Sequence, residues 1–406
     1  MSVRNFGYRA FQKGMLVATA FLDWTPPKVI KGAGAVKKLP ALIKEQGLDN
    51  VLVVTDKGLM GLHLLDPLFE GLEAEGVRYT VYDGVQPNPT IYNVADALKL
   101  YLDNGCQGFV AFGGGSPMDC AKAAGARVAR PDKDIRKMRG QLKVLKKLPP
   151  FFAVPTTAGT GSETTVAAVI SNPDTHEKNA INDPVLRPDY AILDPELTVG
   201  LPQKITSTTG LDALTHAVEA YIGHSNTKQT EEDAKIAVKL IFENLETAYN
   251  DGKNIEAREN MLIASFHAGL AFTRAYVGYV HAIAHNLGGM YGIPHGLANA
   301  VILPYVLDWF GPSAYKRLAE LADVAGVSGA AQGDRDKAKA FIAAIRKLNE
   351  DMEIPLGFEQ IRDEDIPLIA ERALKEGNPL YPVPRIMDLD ECKALLKTLQ
   401  QGGKHA

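Results

Sequence analysis

Six of the nine histidines, His216, His224, His267, His281, His285 and His295, fall within one stretch of the second half of the chain. Asp212 and His216 lie four residues apart in a helical pattern, so both side chains leave one face of a helix. His281 and His285 repeat that spacing on a second predicted helix. His295 follows Gly292 and Pro294, a turn able to aim a ligand inward. One carboxylate with several imidazoles is a donor set for Zn²⁺ or Fe²⁺ and suits Mg²⁺ or Ca²⁺ poorly. A single histidine is more often a packed core or surface residue. Two i,i+4 pairs and a turn histidine together are harder to explain that way. The metalloprotease pattern H-E-x-x-H is excluded, because Ala282 stands where the general base is required. His224, between Gly223 and Ser225, reads as loop, and His267 fits either role.

The first half offers a different chemistry. Gly113, Gly114, Gly115 and Ser116 sit between a predicted strand and a predicted helix. Ser116 is a suitable N-cap, Pro117 suits the first helical position, and Asp119 favours the positive end of the helix dipole. Three glycines ahead of the cap let a pyrophosphate approach backbone N–H groups closely. A structural turn would explain one glycine more readily than three. The spacing is neither G-x-G-x-x-G nor a P-loop. Asp56, at the end of the first clear strand, is placed either to accept hydrogen bonds from a ribose diol, repelling a 2′-phosphate, or to serve as a turn residue. A polar loop from Pro155 to Thr165 follows another strand. Its hydroxyls suit contacts with a polar ligand, or a plain turn.

Short apolar runs alternate with helical periods from Pro26 to about Leu201. Val51 to Thr55, Tyr79 to Tyr82, Gly108 to Phe112, Phe151 to Val154 and Tyr190 to Leu193 read as strands. Ala35 to Gln46, Ile91 to Asn104 and Ser116 to Ala129 read as amphipathic helices. This pattern predicts a mainly parallel sheet covered on both faces. After Pro202 few β-branched runs remain, and long helical periods such as Glu231 to Tyr249 and Lys337 to Glu350 take over. Three segments are therefore expected. Residues 1–25 form an unassigned extension, 26–201 an α/β domain and 202–406 an all-α domain, with the site in the cleft between the two domains.

The 406 residues, 46% apolar and 23% charged, suffice for two packed domains. A net charge of −4 gives no reason to expect nucleic acid or an acidic membrane as partner. Cys106, Cys120 and Cys392 lie far apart without C-x-x-C spacing, as in a reduced cytoplasmic protein. Arg4, Arg9 and Lys13 precede the apolar run Gly14 to Leu22. That run is short for a signal peptide and Asp23 follows at once.

Four motifs together resemble the iron-dependent (group III) alcohol dehydrogenases. They are G-G-G-S-P-x-D-x-A-K at Gly113 to Lys122, P-T-T-A-G-T-G-S-E at Pro155 to Glu163, G-x-D-A-L-T-H-A-x-E at Gly210 to Glu219, and H-A-x-A-H-x-L-G-G-x-Y-x-x-P-H-G at His281 to Gly296. The resemblance runs from about Pro26 to Leu399. It implies an α/β domain like that of dehydroquinate synthase followed by a helical metal domain. It makes Asp212, His216, His281 and His295 the metal ligands, with Fe²⁺ foremost and Zn²⁺ as the alternative. His285 is then not a ligand but a catalytic histidine near the nicotinamide. The same resemblance gives the pyrophosphate to Gly113, Gly114, Gly115 and Ser116, and the ribose to Asp56, which implies NAD. Asn88, Thr156, Thr157, Thr165 and Lys178 become further cofactor contacts.

The expected reaction is reversible hydride transfer between NAD and a small primary alcohol, a diol or the aldehyde, in a homodimer or larger homo-oligomer. A zinc-type polyol or glycerol dehydrogenase is the nearest alternative. A dehydroquinate synthase-like lyase is more remote, since the motif segments offer few basic side chains for an acidic sugar phosphate.

Overall fold

The computed structural model describes residues 3–174 and 177–402. Two compact units divide the chain. One comprises residues 23–201 and 253–269, the other residues 1–22, 202–252 and 270–406.

Among the described residues the first unit is built on nine strands. They are β1 (Lys28–Lys31), β2 (Asn50–Val54), β3 (Arg78–Tyr82), β4 (Gly108–Gly113), β5 (Gly140–Gln141), β6 (Phe151–Pro155), β7 (Ala167–Asn172), β8 (Glu177–Asn182) and β9 (Tyr190–Leu193). Six of them form one sheet in the order β1-β9-β6-β4-β2-β3, with every pairing parallel. Its helices are α2 (Leu39–Glu45), α3 (Lys57–Gly61), α4 (Asp66–Ala74), α5 (Ile91–Asp103) and α6 (Gly115–Ala129). The β-branched run of β2 is buried on both faces, and alternation decides which layer each side chain joins. Leu52 and Val54 pack with Phe109, Val94, Ala97 and Ala123. Val51 and Val53 pack with Phe112, Leu39, Ile43 and Leu68. A sheet covered on both faces reads as unbroken apolar runs, which made β2, β4, β6 and β9 legible.

The small sheet β5-β8-β7 was not among the expected strands. Strand β7 alternates half-buried and buried residues and pairs antiparallel with the polar segment β8. Its mixed composition hides a strand that lies off the main core. The expected helix over Ala35 to Gln46 is a 3-10 turn, Ala35–Lys38, leading into α2. Pro40 explains the break, because proline is tolerated only in the first turn of a helix.

The second unit is helical. It holds α1 (Val3–Thr19), α7 (Gln203–Ile222), α8 (Lys228–Asn250), α10 (Tyr279–Tyr291), α11 (His295–Phe310), α12 (Tyr315–Val324), α13 (Gly333–Asp351), α14 (Ile366–Gly377) and α15 (Leu389–Gln400). A further helix, α9, spans Ile255–Ala275. From Gly210 to Ile222 every residue of α7 is buried. A helix enclosed on all sides can keep Asp212, His216 and Glu219 only if each is paired, since an unpartnered buried charge is costly. Among the described residues no helix is long and apolar enough to cross a membrane. The three cysteines are buried free thiols.

Candidate metal centre and cofactor cradle

Three helices bring the acidic and imidazole donors together. Asp212 and His216 come from one face of α7, His281 from the first turn of α10, and His295 is the first residue of α11. One donor atom from each of the four lies within 4.8 Å of all the others. Asp212, His216 and His281 are buried and His295 is partly so. The expected turn carrying His295 is thus a helix start, with Pro294 as its N-cap residue. Glycine makes the approach possible. A Cβ on Gly296 would lie 2.4 Å from the Thr208 carbonyl oxygen, so any larger residue would push α11 off α7.

The surroundings favour a cation. Asn299 lies one turn beyond His295 on α11. Its Nδ2 is 2.6 Å from Asp212 Oδ1, 3.0 Å from His281 Nε2 and 3.2 Å from His295 Nε2. An amide has two protons for these three acceptors, so it cannot satisfy the group alone. The Asn299 Oδ1 is buried without a hydrogen-bond partner. A divalent ion would draw on all four donors at once, and one carboxylate with three imidazoles is chemistry that Fe²⁺ and Zn²⁺ share. Burial, and then the neighbouring imidazoles His216, His295 and His285, push the His281 pKa well below its usual value. That shift favours the neutral imidazole, the form that ligates metals.

Glu219 completes the arrangement and was not singled out from the sequence. Its carboxylate accepts from the backbone N–H groups of Gly278 and Val280, both at 2.8 Å, and from His281 Nδ1 at 2.6 Å. That bond fixes the tautomer, leaving His281 Nε2 directed toward Asp212, 3.9 Å away. Burial pushes the Glu219 carboxyl up to about 7, against the pull of those donors. The signal was present: Glu219 continues the Asp212–His216 face of α7 by one more turn.

His285 lies one turn beyond His281 on α10 and belongs to a second network. Its Nδ1 is 2.7 Å from Glu376 Oε1, and the Tyr381 hydroxyl donates to the same oxygen at 2.9 Å. The His285 ring stacks on His295, with centroids 5.1 Å apart. His224 stands apart after α7, its backbone N–H bonded to the Pro382 carbonyl, and His267 belongs to the sheet unit.

In that unit the glycine loop and Asp56 flank a reversal in the sheet. The chain passes from β2 outward to β3, then returns to β4 on the other side and continues to β6. A crevice at such a switch point, outside the carboxyl ends of the strands, is where open α/β sheets bind ligands. The loop differs from expectation in one respect. Helix α6 starts at Gly115 with Gly114 as its N-cap residue, and Ser116 is not the cap. Asp119 likewise turns from the helix end, accepting from Ser162 Oγ and from the Val169 N–H. The reason is space. A Cβ on Gly114 would lie 3.2 Å from Thr157 Oγ1, so the polar loop after β6 presses directly on the glycines. An uncapped start leaves its N–H groups available for an anion.

Asp56 is itself an N-cap, with Oδ1 accepting from Leu59 N–H at 3.0 Å on α3, so the turn role is real. Thr156 is buried, and its N–H bonds to the Gly113 carbonyl. Thr165 is engaged internally, its hydroxyl accepting from Lys122 Nζ at 2.8 Å. Asn88 has a φ of 58° in the turn before α5. The backbone of Lys178 runs in β8, and its side chain lies outside what the structure describes. Lys122 is the residue that the sequence reading passed over here. It is fully buried and donates to Ser162 and Thr165, tying the polar loop to α6.

Comparison with known proteins identifies relatives of this chain. Residues 26–195 match the family described as iron-containing alcohol dehydrogenase, and residues 206–400 match the C-terminal domain of the Fe-containing alcohol dehydrogenase family. The 1,3-propanediol dehydrogenase of Klebsiella pneumoniae is 39% identical over 380 residues, covering 92% of this chain and 98% of that protein. A crystal structure of a 1,3-propanediol oxidoreductase superposes with a TM-score of 0.90 at 38% identity, covering 93% of this chain and all of that one. The sulfoacetaldehyde reductase of Bifidobacterium kashiwanohense, solved in complex with NAD⁺, gives a TM-score of 0.84 at 30% identity, covering 94% of this chain and 99% of that one. Both halves match in order, and the chain belongs to the iron-containing alcohol dehydrogenase family.

Proposed function

We propose that the protein oxidises a small primary alcohol or diol with NAD, or reduces the aldehyde, using a divalent ion held by Asp212, His216, His281 and His295. The convergence of those four donors, three of them buried, carries this reading. The family and the 1,3-propanediol relatives support the substrate class. Iron is the proposed ion, with zinc the alternative that the same donors accept.

When bound, the ion supplies Lewis acidity, favouring loss of the alcohol proton or polarising the aldehyde carbonyl. The side chains do the rest. Glu219 holds the Nδ1 proton of His281 and keeps its Nε2 free for coordination. His285, fixed at Nδ1 by Glu376, takes the substrate proton on Nε2 and passes it to water. The N–H groups at the start of α6 hold the pyrophosphate, and Asp56 receives the ribose hydroxyls through the oxygen not committed to its cap. NAD, as in other cofactor enzymes, carries the hydride.

A spectrophotometric screen of NAD reduction across small alcohols and diols tests the reaction class. Turnover with NAD and little with NADP is expected; no oxidation of any alcohol by either cofactor would refute the reading. In Asp56→Gly the NADP/NAD ratio of kcat/KM should rise about tenfold or more, as repulsion of the 2′-phosphate is removed. Loss of the cap costs stability only a few tenths of a kcal/mol on replacement by glycine. An unchanged ratio would remove Asp56 from the ribose site.

A further inference from the structure

Helix α1 precedes residue 26, where the family match begins, yet it is fastened to the segment that orients His285. Phe6 and Val17 are 68% and 63% exposed, while Tyr8, Met15 and Leu16 are partly buried on the side of the helix that carries Gln12. Among its described residues the buried side chain is a glutamine, Gln12.

Every hydrogen-bonding atom of Gln12 is used. Arg9 Nη1 donates to Gln12 Oε1 at 3.0 Å, which directs the amide nitrogen away from Arg9. That nitrogen donates to the carbonyls of Pro379, at 2.9 Å, and Tyr381, at 2.8 Å. Arg9 Nη2 adds a bond to the Pro384 carbonyl at 3.0 Å. Residues 379–384 lie in the loop between α14 and α15, which has no helix or strand of its own and is also held by the His224 N–H on the Pro382 carbonyl. Its Tyr381 hydroxyl donates to Glu376 Oε1, the atom that His285 Nδ1 meets at 2.7 Å.

We infer that α1 is a working part of the active site, and that Gln12 is a positioning residue acting on His285 through Tyr381 and Glu376. The inference rests on the proposed role of His285. The two donor bonds, one of them buried, join the Tyr381 N–H bond to the Gly377 carbonyl in setting where the Tyr381 backbone lies, the Tyr381 hydroxyl sets one side of Glu376, and Glu376 sets the imidazole. Without Gln12 the buried Tyr381 carbonyl and the partly buried Pro379 carbonyl lose these donors and the loop relaxes, so the ring loses its fixed orientation.

The test uses the full chain with Gln12→Met, which keeps side-chain length and removes both donors. Its kcat should fall on the order of tenfold, as when hydrogen bonds behind a functional side chain are removed. Metal content and the KM for NAD should stay at wild-type values, which a general loss of structure would not allow. In a His285→Ala background Gln12→Met should cause no further loss, because the two act along one path. Wild-type kcat in Gln12→Met, or the same fractional loss with His285 absent, would overturn the inference. Full activity in His285→Ala alone would overturn the role of His285 and the inference with it. Should Gln12→Met fail to fold, Arg9→Met keeps both donor bonds but frees the orientation of the amide. A loss of about threefold in kcat is then expected, and none would overturn the inference.

Discussion

Replacing His281 with alanine should remove both the bound ion and turnover, with kcat/KM falling by at least about a thousandfold, equivalent to about 4 kcal/mol of lost transition-state stabilisation. Two features make this side chain the most sensitive of the four. It is buried and bound through Nδ1 to Glu219, which leaves Nε2 for the cluster with Asp212 and His295. It is also the partner of Glu219, whose burial already raises its carboxyl to about 7. Alanine would leave that carboxylate with its two backbone donors only. Metal analysis and NAD affinity, measured on one preparation, check the result. Dinucleotide affinity should persist, because the glycine loop and Asp56 belong to the other unit. A variant that keeps both metal and full activity would strike His281 from the ligand set.

His285→Ala should behave differently. Here the ion should remain at wild-type stoichiometry while kcat falls about 10²-fold or more, the range for losing a positioned general acid–base group. The distinction follows from the hydrogen bonds. His285 Nδ1 is held by Glu376, and Tyr381 shares the same oxygen, whereas His281 is held by Glu219. Adjacent turns of α10 thus present two imidazoles oriented by two separate carboxylates. Loss of metal in His285→Ala would merge the two roles, and wild-type kcat would remove His285 from proton transfer.

The layering of the first half was legible because central parallel strands are apolar on both faces. The runs at β2, β4, β6 and β9 needed no tertiary information. The sheet β5-β8-β7 was not legible, since β8 is largely polar and pairs through its backbone. The i,i+4 spacing of Asp212 and His216 showed that they share a helix face. Spacing alone could not choose among six histidines, and the three joined with Asp212 rested on the family resemblance. What remained hidden was support. Glu219, Asn299, Lys122 and Gln12 each act on a partner distant in sequence, at 62, 87, 40 and 369 residues for the bonds described. No local period encodes such a pairing. The start of α6 shows the same limit, because Ser116 is the better cap by composition and Gly114 takes the place through contact with Thr157.

Chelator-stripped protein titrated with Fe²⁺ under anaerobic conditions, with alcohol oxidation followed at each addition, puts the central claim to its hardest trial. Uptake of one ion per chain with parallel recovery of turnover is the predicted course, and Asp212→Ala should show neither. Undiminished turnover in protein proven free of metal, or equal uptake by Asp212→Ala, would contradict the account.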